Sequence, residues 1–269
     1  MNIIITTVIV SFIIAAILGI CLGIFSRLFY VPVDPKVQVI RSVLSGANCG
    51  GCGFAGCDAF AKAVAEGRAQ PNGCAAGGKA TAEAIGKILG VEVNAETKVS
   101  VIACRGTKDC AKSKGIYKGY KSCTAARISI GGTKMCNFGC IGFGDCVNAC
   151  NFDAIKIGDD GLPHIDYSKC TGCSKCVNAC PNSLLKLVVK ETKGAMALCS
   201  NRTKEKASII KKCKSGCIKC GKCERNCPEH AIQLTDGLPV VDYFKCNSCG
   251  TCVEGCPTKV LKLVQDIVK

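Results

Sequence analysis

The spacing of cysteine constrains this chain more than any other feature. Cys170, Cys173, Cys176 and Cys180 follow the pattern C-x2-C-x2-C-x3-C, with Pro181 next. The pattern recurs at Cys217, Cys220, Cys223 and Cys227 before Pro228, and at Cys246, Cys249, Cys252 and Cys256 before Pro257. A chance triplicate is negligible. Cysteine supplies 26 of 269 residues, a level typical of disulfide scaffolds and metal-cluster proteins. The aliphatic content is thin by comparison. The 48% hydrophobic share counts the cysteines; without them, about 34% of residues 31–269 are hydrophobic. Tryptophan is absent and aromatics make up 5%. Such a chain cannot bury a large ordinary core, and it reads as several small modules held by metal.

Residues Ile3–Phe25 carry no charge, and their clearly polar positions are Thr6, Thr7, Ser11 and Cys21. A stretch of this length crosses a bilayer as a helix. The start Met1-Asn2 is uncharged and no small-residue cleavage site follows, which predicts a retained anchor rather than a signal peptide. Arg27, Lys36 and Arg41 come just after the span. The positive-inside tendency then predicts a single pass of the cell (inner) membrane with the C-terminal domains cytoplasmic. Tyr30 is expected at the interface. Gly19 and Gly23 form a G-x-x-x-G, a weak sign of a packing face for another membrane helix. A cytoplasmic location disfavours disulfides, so regular cysteine spacing there means metal. His164 and His230 lie outside the cysteine clusters, which argues against Cys-His zinc sites and Rieske centres. All-cysteine zinc sites are the bland competitor.

The thrice-repeated spacing is that of bacterial ferredoxins, in which three close thiolates cap one [4Fe-4S] cubane and the fourth cysteine serves a second cluster. An internal repeat organises it. Asp160-Gly-Leu-Pro-His-Ile-Asp-Tyr-Ser-Lys-Cys170 recurs as Asp236-Gly-Leu-Pro-Val-Val-Asp-Tyr-Phe-Lys-Cys246, an offset of 76. An offset of 77 aligns Cys140, Cys146 and Cys150 with Cys217, Cys223 and Cys227, and sets Phe143 opposite Cys220. The first module therefore lacks one thiol of its opening motif. Cys136, four residues before Cys140, is expected to supply it, leaving its counterpart Cys213 redundant. Asn151 replaces the expected proline after Cys150.

This alignment predicts four tetrads: Cys136, Cys140, Cys146 and Cys180; Cys150, Cys170, Cys173 and Cys176; Cys217, Cys220, Cys223 and Cys256; Cys227, Cys246, Cys249 and Cys252. A fifth is Cys49, Cys52, Cys57 and Cys74, on a glycine-rich loop able to wrap a cubane. Helices are expected over 35–44, 56–67 and 79–89, and a strand over 99–104. The expected class is α+β: a transmembrane anchor (1–30), a small α-helical single-cluster domain (31–95), a basic Cys-containing connector (96–131), a first 2[4Fe-4S] ferredoxin-like module (132–190), and a linker with the second such module (191–269). Six cysteines stay outside this scheme. Cys21 reads as packing in the span. Cys104, Cys110 and Cys123 read as structural thiols ahead of a sixth cluster, because no fourth ligand is evident. Cys199 and Cys213 read as remnants or as groups near a cluster.

No nucleotide-binding glycine loop, phosphate loop or Ser-His-Asp pattern is present, so no catalytic residue is assigned. Asp159-Asp160 before Gly161 is turn chemistry. The formal charge of +15 falls to roughly +5 once five clusters of about −2 each are included. Eleven basic residues between Lys186 and Lys222 face only Glu191 and Glu205. They form either a solvated linker that balances the anionic clusters or a docking surface for an acidic carrier. Sparse aromatics argue against nucleic acid.

The order of anchor, Cys49-Gly-Gly-Cys52-Gly-x-x-Gly-Cys57…Cys74 domain and two ferredoxin modules resembles the B subunit of the Rnf complex over essentially the whole chain. The anchor plus the first motif is the specific part. The resemblance implies a wire that takes electrons from reduced soluble ferredoxin and passes them through the Cys49 cluster to membrane and flavin subunits. NAD+ would be the final acceptor, and Na+ or H+ would be translocated. The second ferredoxin module and the Cys104–Cys123 region set this chain apart from shorter proteobacterial forms and resemble the clostridial type. A related Rsx-type sensor reductant, or a subunit of a membrane hydrogenase or formate dehydrogenase, would use the same wire with another acceptor.

Overall fold

The computed structural model describes residues 2–29, 34–94 and 96–269. The expected interfacial Tyr30 lies outside them. Helix α1 (Asn2–Leu28) runs for 27 residues. At 1.5 Å per residue it is about 40 Å long, more than the ~30 Å of a bilayer core. Its apolar side chains, Ile3 and Phe12 among them, are uncovered by the rest of the chain. Arg27 occupies its last turn, where a cation complements the helix dipole. A Cβ added at Gly19 or Gly23 would meet nothing within 4 Å, so this chain itself does not use the G-x-x-x-G face.

Three helices build the next unit: α2 (Pro35–Val43), α3 (Cys57–Ala65) and α4 (Gly78–Leu89). Asp34 caps α2 by accepting from Lys36 N–H at 2.8 Å, and Pro35 stands at its first position, where no N–H is needed. The apolar faces meet around Ile40, Phe60, Val64 and Ile85. Arg41 joins α2 to α3 through Asp58 at 2.7 Å. Gly90 ends α4 at φ 68, a left-handed conformation glycine adopts without a Cβ clash.

The first module contains β1 (Lys98–Ile102), α5 (Cys123–Ile130), α6 (Asp145–Asn148), β2 (Ile155–Ile157), β3 (Pro163–Ile165), α7 (Lys175–Ala179) and β4 (Leu185–Val189). The second contains β5 (Ala195–Ala197), α8 (Lys206–Lys212), α9 (Lys222–Arg225), β6 (Ile232–Thr235), β7 (Leu238–Val241), α10 (Thr251–Glu254), β8 (Leu261–Leu263) and α11 (Val264–Ile267). In each, a central antiparallel hairpin (β2–β3, β6–β7) is flanked by a second antiparallel pair (β1–β4, β5–β8). The closing strands need partners for their backbone groups. The partner comes from the segment before each opening motif: Ile102 pairs with Leu185, and Ala197 with Leu261. The expected connector and linker thus each contribute a strand to a module.

The two modules share a core. Val99, Val101 and Ala103 of the first pack with Met196, Leu198, Val264 and Val268 of the second. Each such side chain contributes about 1–3 kcal/mol on burial, enough together to fix the modules against each other. A β-bridge joins Ala111 to Cys213, flanked by Lys112 N–H donating to Lys212 C=O at 3.0 Å and Lys214 N–H donating to Cys110 C=O at 2.9 Å.

Candidate cluster-binding sites

Twenty-four of the 26 cysteines fall into six groups of four. Cys49, Cys52 and Cys57 surround Cys74; burial first, and then these neighbouring thiols, push the Cys74 thiol up. Cys57 opens α3, held by its N–H donating to Asn48 Oδ1 at 2.8 Å. Cys150, Cys170 and Cys173 gather about Cys176, whose thiol is raised by burial and by the three neighbours. Ser100 on β1 donates its N–H to Cys170 Sγ at 3.4 Å and sets its Oγ 3.4 Å from Cys176 Sγ. In the second module, Cys217, Cys220, Cys223 and Cys256 line a cavity of about 350 Å³ including its open mouth. Cys227, Cys246, Cys249 and Cys252 line one of about 300 Å³.

The remaining two groups depart from expectation. Cys140, Cys146 and Cys180 stand around a cavity of about 370 Å³, and the fourth thiol there is Cys123, not Cys136. Burial and then the Cys123 and Cys180 thiols raise Cys146 to about 12. The cause lies in the longer first repeat. Ile102 and Ala197 are equivalent at an offset of 95, whereas Cys140 and Cys217 are equivalent at 77, so the first copy carries 18 additional residues. That extra length includes α5, which begins at Cys123. Phe143, standing where the second module has Cys220, packs on Tyr117 of the same segment with ring centroids 5.6 Å apart. The insertion thus fills the space with an aromatic pair and returns a thiol from another direction.

Cys136 instead joins Cys104, Cys199 and Cys213 around a cavity of about 360 Å³. Burial, then Cys104, Cys136 and Cys199, raise Cys213 to about 11. Cys213 and Cys199 thus stand in one group with Cys104 and Cys136. Cys104, Cys110 and Cys123 do not come together: the first and last belong to different groups. Cys110 belongs to none, and hydrogen bonds from Ser215 and Thr107 lower its thiol. Cys21 lies on α1. A readable signal did exist. Val101-Ile-Ala-Cys104 and Met196-Ala-Leu-Cys199 are both short apolar runs ending in cysteine, one before each module.

The donor sets fit cubanes. Four sulfurs around one tetrahedral zinc lie about 3.8 Å apart. Among the described residues no group of three or more His, Cys, Asp or Glu closes on a single ion in this way. Backbone N–H groups aim at the sulfurs, as from Leu184 to Cys180 at 3.4 Å and from Ala231 to Cys227 at 3.3 Å. Such bonds stabilise an anionic cluster. The buried hydroxyls of Thr171 and Ser248, inside two of the motif loops, have no partner within the protein. A cluster sulfur would supply an acceptor.

Comparison with known proteins agrees with this donor chemistry. A family described as "Putative Fe-S cluster" matches residues 44–76. A "4Fe-4S dicluster domain" family matches residues 135–184 and 216–263, and a second family of that description matches 169–231. The chain is 42% identical over 231 residues to the B subunit of the Na+-translocating ferredoxin:NAD+ oxidoreductase complex of Acetobacterium woodii, covering 86% of this chain and 69% of that protein. It is 39% identical to the B subunit of the ion-translocating oxidoreductase complex of Methanosarcina acetivorans, covering 85% of this chain and 86% of that protein. To the B subunit of the proton-translocating ferredoxin:NAD+ oxidoreductase complex of Clostridium ljungdahlii it is 41% identical, covering 91% and 87% respectively. The chain belongs to the family of B subunits of the ion-translocating Rnf-type oxidoreductase complexes.

Proposed function

We propose that this chain is the iron–sulfur relay of an ion-translocating ferredoxin:NAD+ oxidoreductase. It takes electrons from reduced soluble ferredoxin on the cytoplasmic side and delivers them to the membrane and flavin subunits of the complex. When bound, a [4Fe-4S] cluster takes up and releases one electron at a time. The protein's part is to hold, space and shield such groups.

One observation carries the reading: the thiol groups follow one another from a solvent-facing end to the unit that comes next after α1 in the chain. Cys249 is exposed, and Phe244, shortly before it in the chain, is fully uncovered. Inward from Cys249, the Cys252 thiol senses both Cys227 of its own group and Cys223 of the next. In the first module Cys146 senses Cys176 across the two groups. At the far end the Cys49 loop touches the Cys170 loop: a Cβ on Gly51 would lie 2.9 Å from the Cys173 carbonyl oxygen. Glycine at that position allows the close approach that electron transfer needs. The Cys49 unit follows α1 directly in the chain, which suits delivery to membrane partners. Exposed lysines on and after α8, Lys206, Lys211 and Lys214, offer positive charge to an acidic donor.

The test is anaerobic mixing of the purified complex with reduced ferredoxin. The visible absorbance of the clusters in this chain should bleach as ferredoxin is oxidised. Oxidation of ferredoxin by another subunit while this chain stays oxidised would overturn the reading.

A further inference from the structure

The two ferredoxin modules have no motif cysteine in common, yet four cysteines outside those motifs meet between them. Cys104 follows β1 and Cys199 follows β5, at equivalent places in the two copies. Cys136 and Cys213 each stand four residues before the first cysteine of an opening motif, Cys140 and Cys217. The group is thus two repeat-related pairs, one from each module. Its hydrogen bonding repeats as well: Cys140 N–H donates to Cys104 Sγ at 3.5 Å, and Cys217 N–H donates to Cys199 Sγ at 3.4 Å. Gly106 N–H adds a second donor to Cys104 Sγ at 3.4 Å, and Asn201 Nδ2 donates to Cys136 Sγ at 3.5 Å. The cavity among them, about 360 Å³ including its open mouth, matches the 350 Å³ and 370 Å³ of the neighbouring groups.

We propose that Cys104, Cys136, Cys199 and Cys213 hold a sixth [4Fe-4S] cluster, shared equally by the two modules. Four cysteine thiols, N–H donors on the sulfurs and a cavity of like volume are the features shared with the other sites. Single structural thiols need no such convergence. The shared site stands between the two modules and touches a group in each. Cys104 contacts the Cys140 group through the Cys140 amide, and Cys199 contacts the Cys217 group through the Cys217 amide. It also crosslinks segments far apart in sequence, adding a metal staple to the small apolar core between the modules.

The proposal rests on the reading that the other groups hold [4Fe-4S] clusters, and one set of measurements separates the two. Full-length chain is purified anaerobically, and iron, zinc and acid-labile sulfide are counted. Six clusters give about 24 iron and 24 sulfide per chain, and five give about 20. The native protein is then labelled with iodoacetamide and mapped by mass spectrometry. The expected result is about 24 iron with Cys104, Cys136, Cys199 and Cys213 unlabelled. Cys199→Ser should lose about four iron, or show the electron-spin signal of a three-iron cluster, while Cys110→Ser loses none. About 20 iron with Cys104 and Cys199 labelled would overturn the sixth cluster and leave the other five standing. Zinc with little sulfide would overturn the iron–sulfur reading and this proposal with it. The labelling uses unsubstituted protein, so a variant that fails to fold does not blunt the test.

Discussion

The Asp145 carboxylate receives the backbone N–H of Cys123 at 2.8 Å, fastening the first residue of α5 to the residue beside Cys146. The Thr124 N–H (3.0 Å), the Thr124 hydroxyl (2.9 Å) and the Ser122 hydroxyl (3.0 Å) converge on the same carboxylate. Burial alone would raise its pKa, but these four donors hold it below the ordinary carboxylate range. Asp145 is thus both a helix N-terminal acceptor and the clamp that sets Cys123 against Cys140, Cys146 and Cys180.

Asp145→Ala strips an acceptor from two backbone amides and two hydroxyls. Hydrogen bonds to a charged group are worth about 1.5–3 kcal/mol each in net terms, and water replaces part of that at a half-exposed site. A destabilisation of about 2 kcal/mol is expected, together with loss of about four iron from the site or conversion to a three-iron form. Thermal denaturation and iron analysis of the full chain check it. Unchanged iron content would show that Cys123 holds its place without the clamp.

Lys134 is buried and donates from Nζ to Gly106 C=O at 2.5 Å. Burial and the Cys104 thiol push the Cys140 thiol up to about 12, and the Lys134 charge opposes that rise. A cation there favours the more negative, reduced form of a nearby cluster. Lys134→Gln should move the potential of the neighbouring cluster downward by tens of millivolts, read by potentiometric titration with electron-spin detection. An unchanged set of potentials would mean the charge is compensated by its surroundings.

The exposed cations on and after α8 give a salt-dependent prediction. Reversing Lys206, Lys211 and Lys214 to glutamate should slow reduction by ferredoxin several-fold at low ionic strength, with the difference shrinking as salt screens the charges. Stopped-flow measurement at two salt concentrations decides it. A rate unaffected at low salt would make the segment a solvated linker.

The three local motifs are legible from sequence because a loop with two-residue gaps brings its own thiols together whatever surrounds it. The long apolar helix α1, and α3 and α4, are legible because apolar length and helical periodicity are also local properties. Cys123 and Cys136 are not legible in that way. Both lie upstream of Cys140 and either could replace the thiol missing at Phe143; distance in sequence favours Cys136. The choice depends on where β1 docks against β4 and how the 18 additional residues return, and both are set by tertiary packing. The meeting of Cys104 with Cys199 is likewise a consequence of β1 and β5 sharing one core, which no spacing rule records.

The central claim is that electrons leave this chain through the Cys49 group. The most direct measurement is ferredoxin-driven NAD+ reduction by the assembled complex carrying Cys52→Ala, alongside the extent of ferredoxin oxidation in a single turnover. The expected result is NAD+ reduction diminished by more than about 100-fold, since a missing relay lengthens the electron-transfer gap at the junction with the membrane subunits. Ferredoxin should still be oxidised to the capacity of the remaining clusters. NAD+ reduction at the unsubstituted rate would contradict the placement of this group on the route.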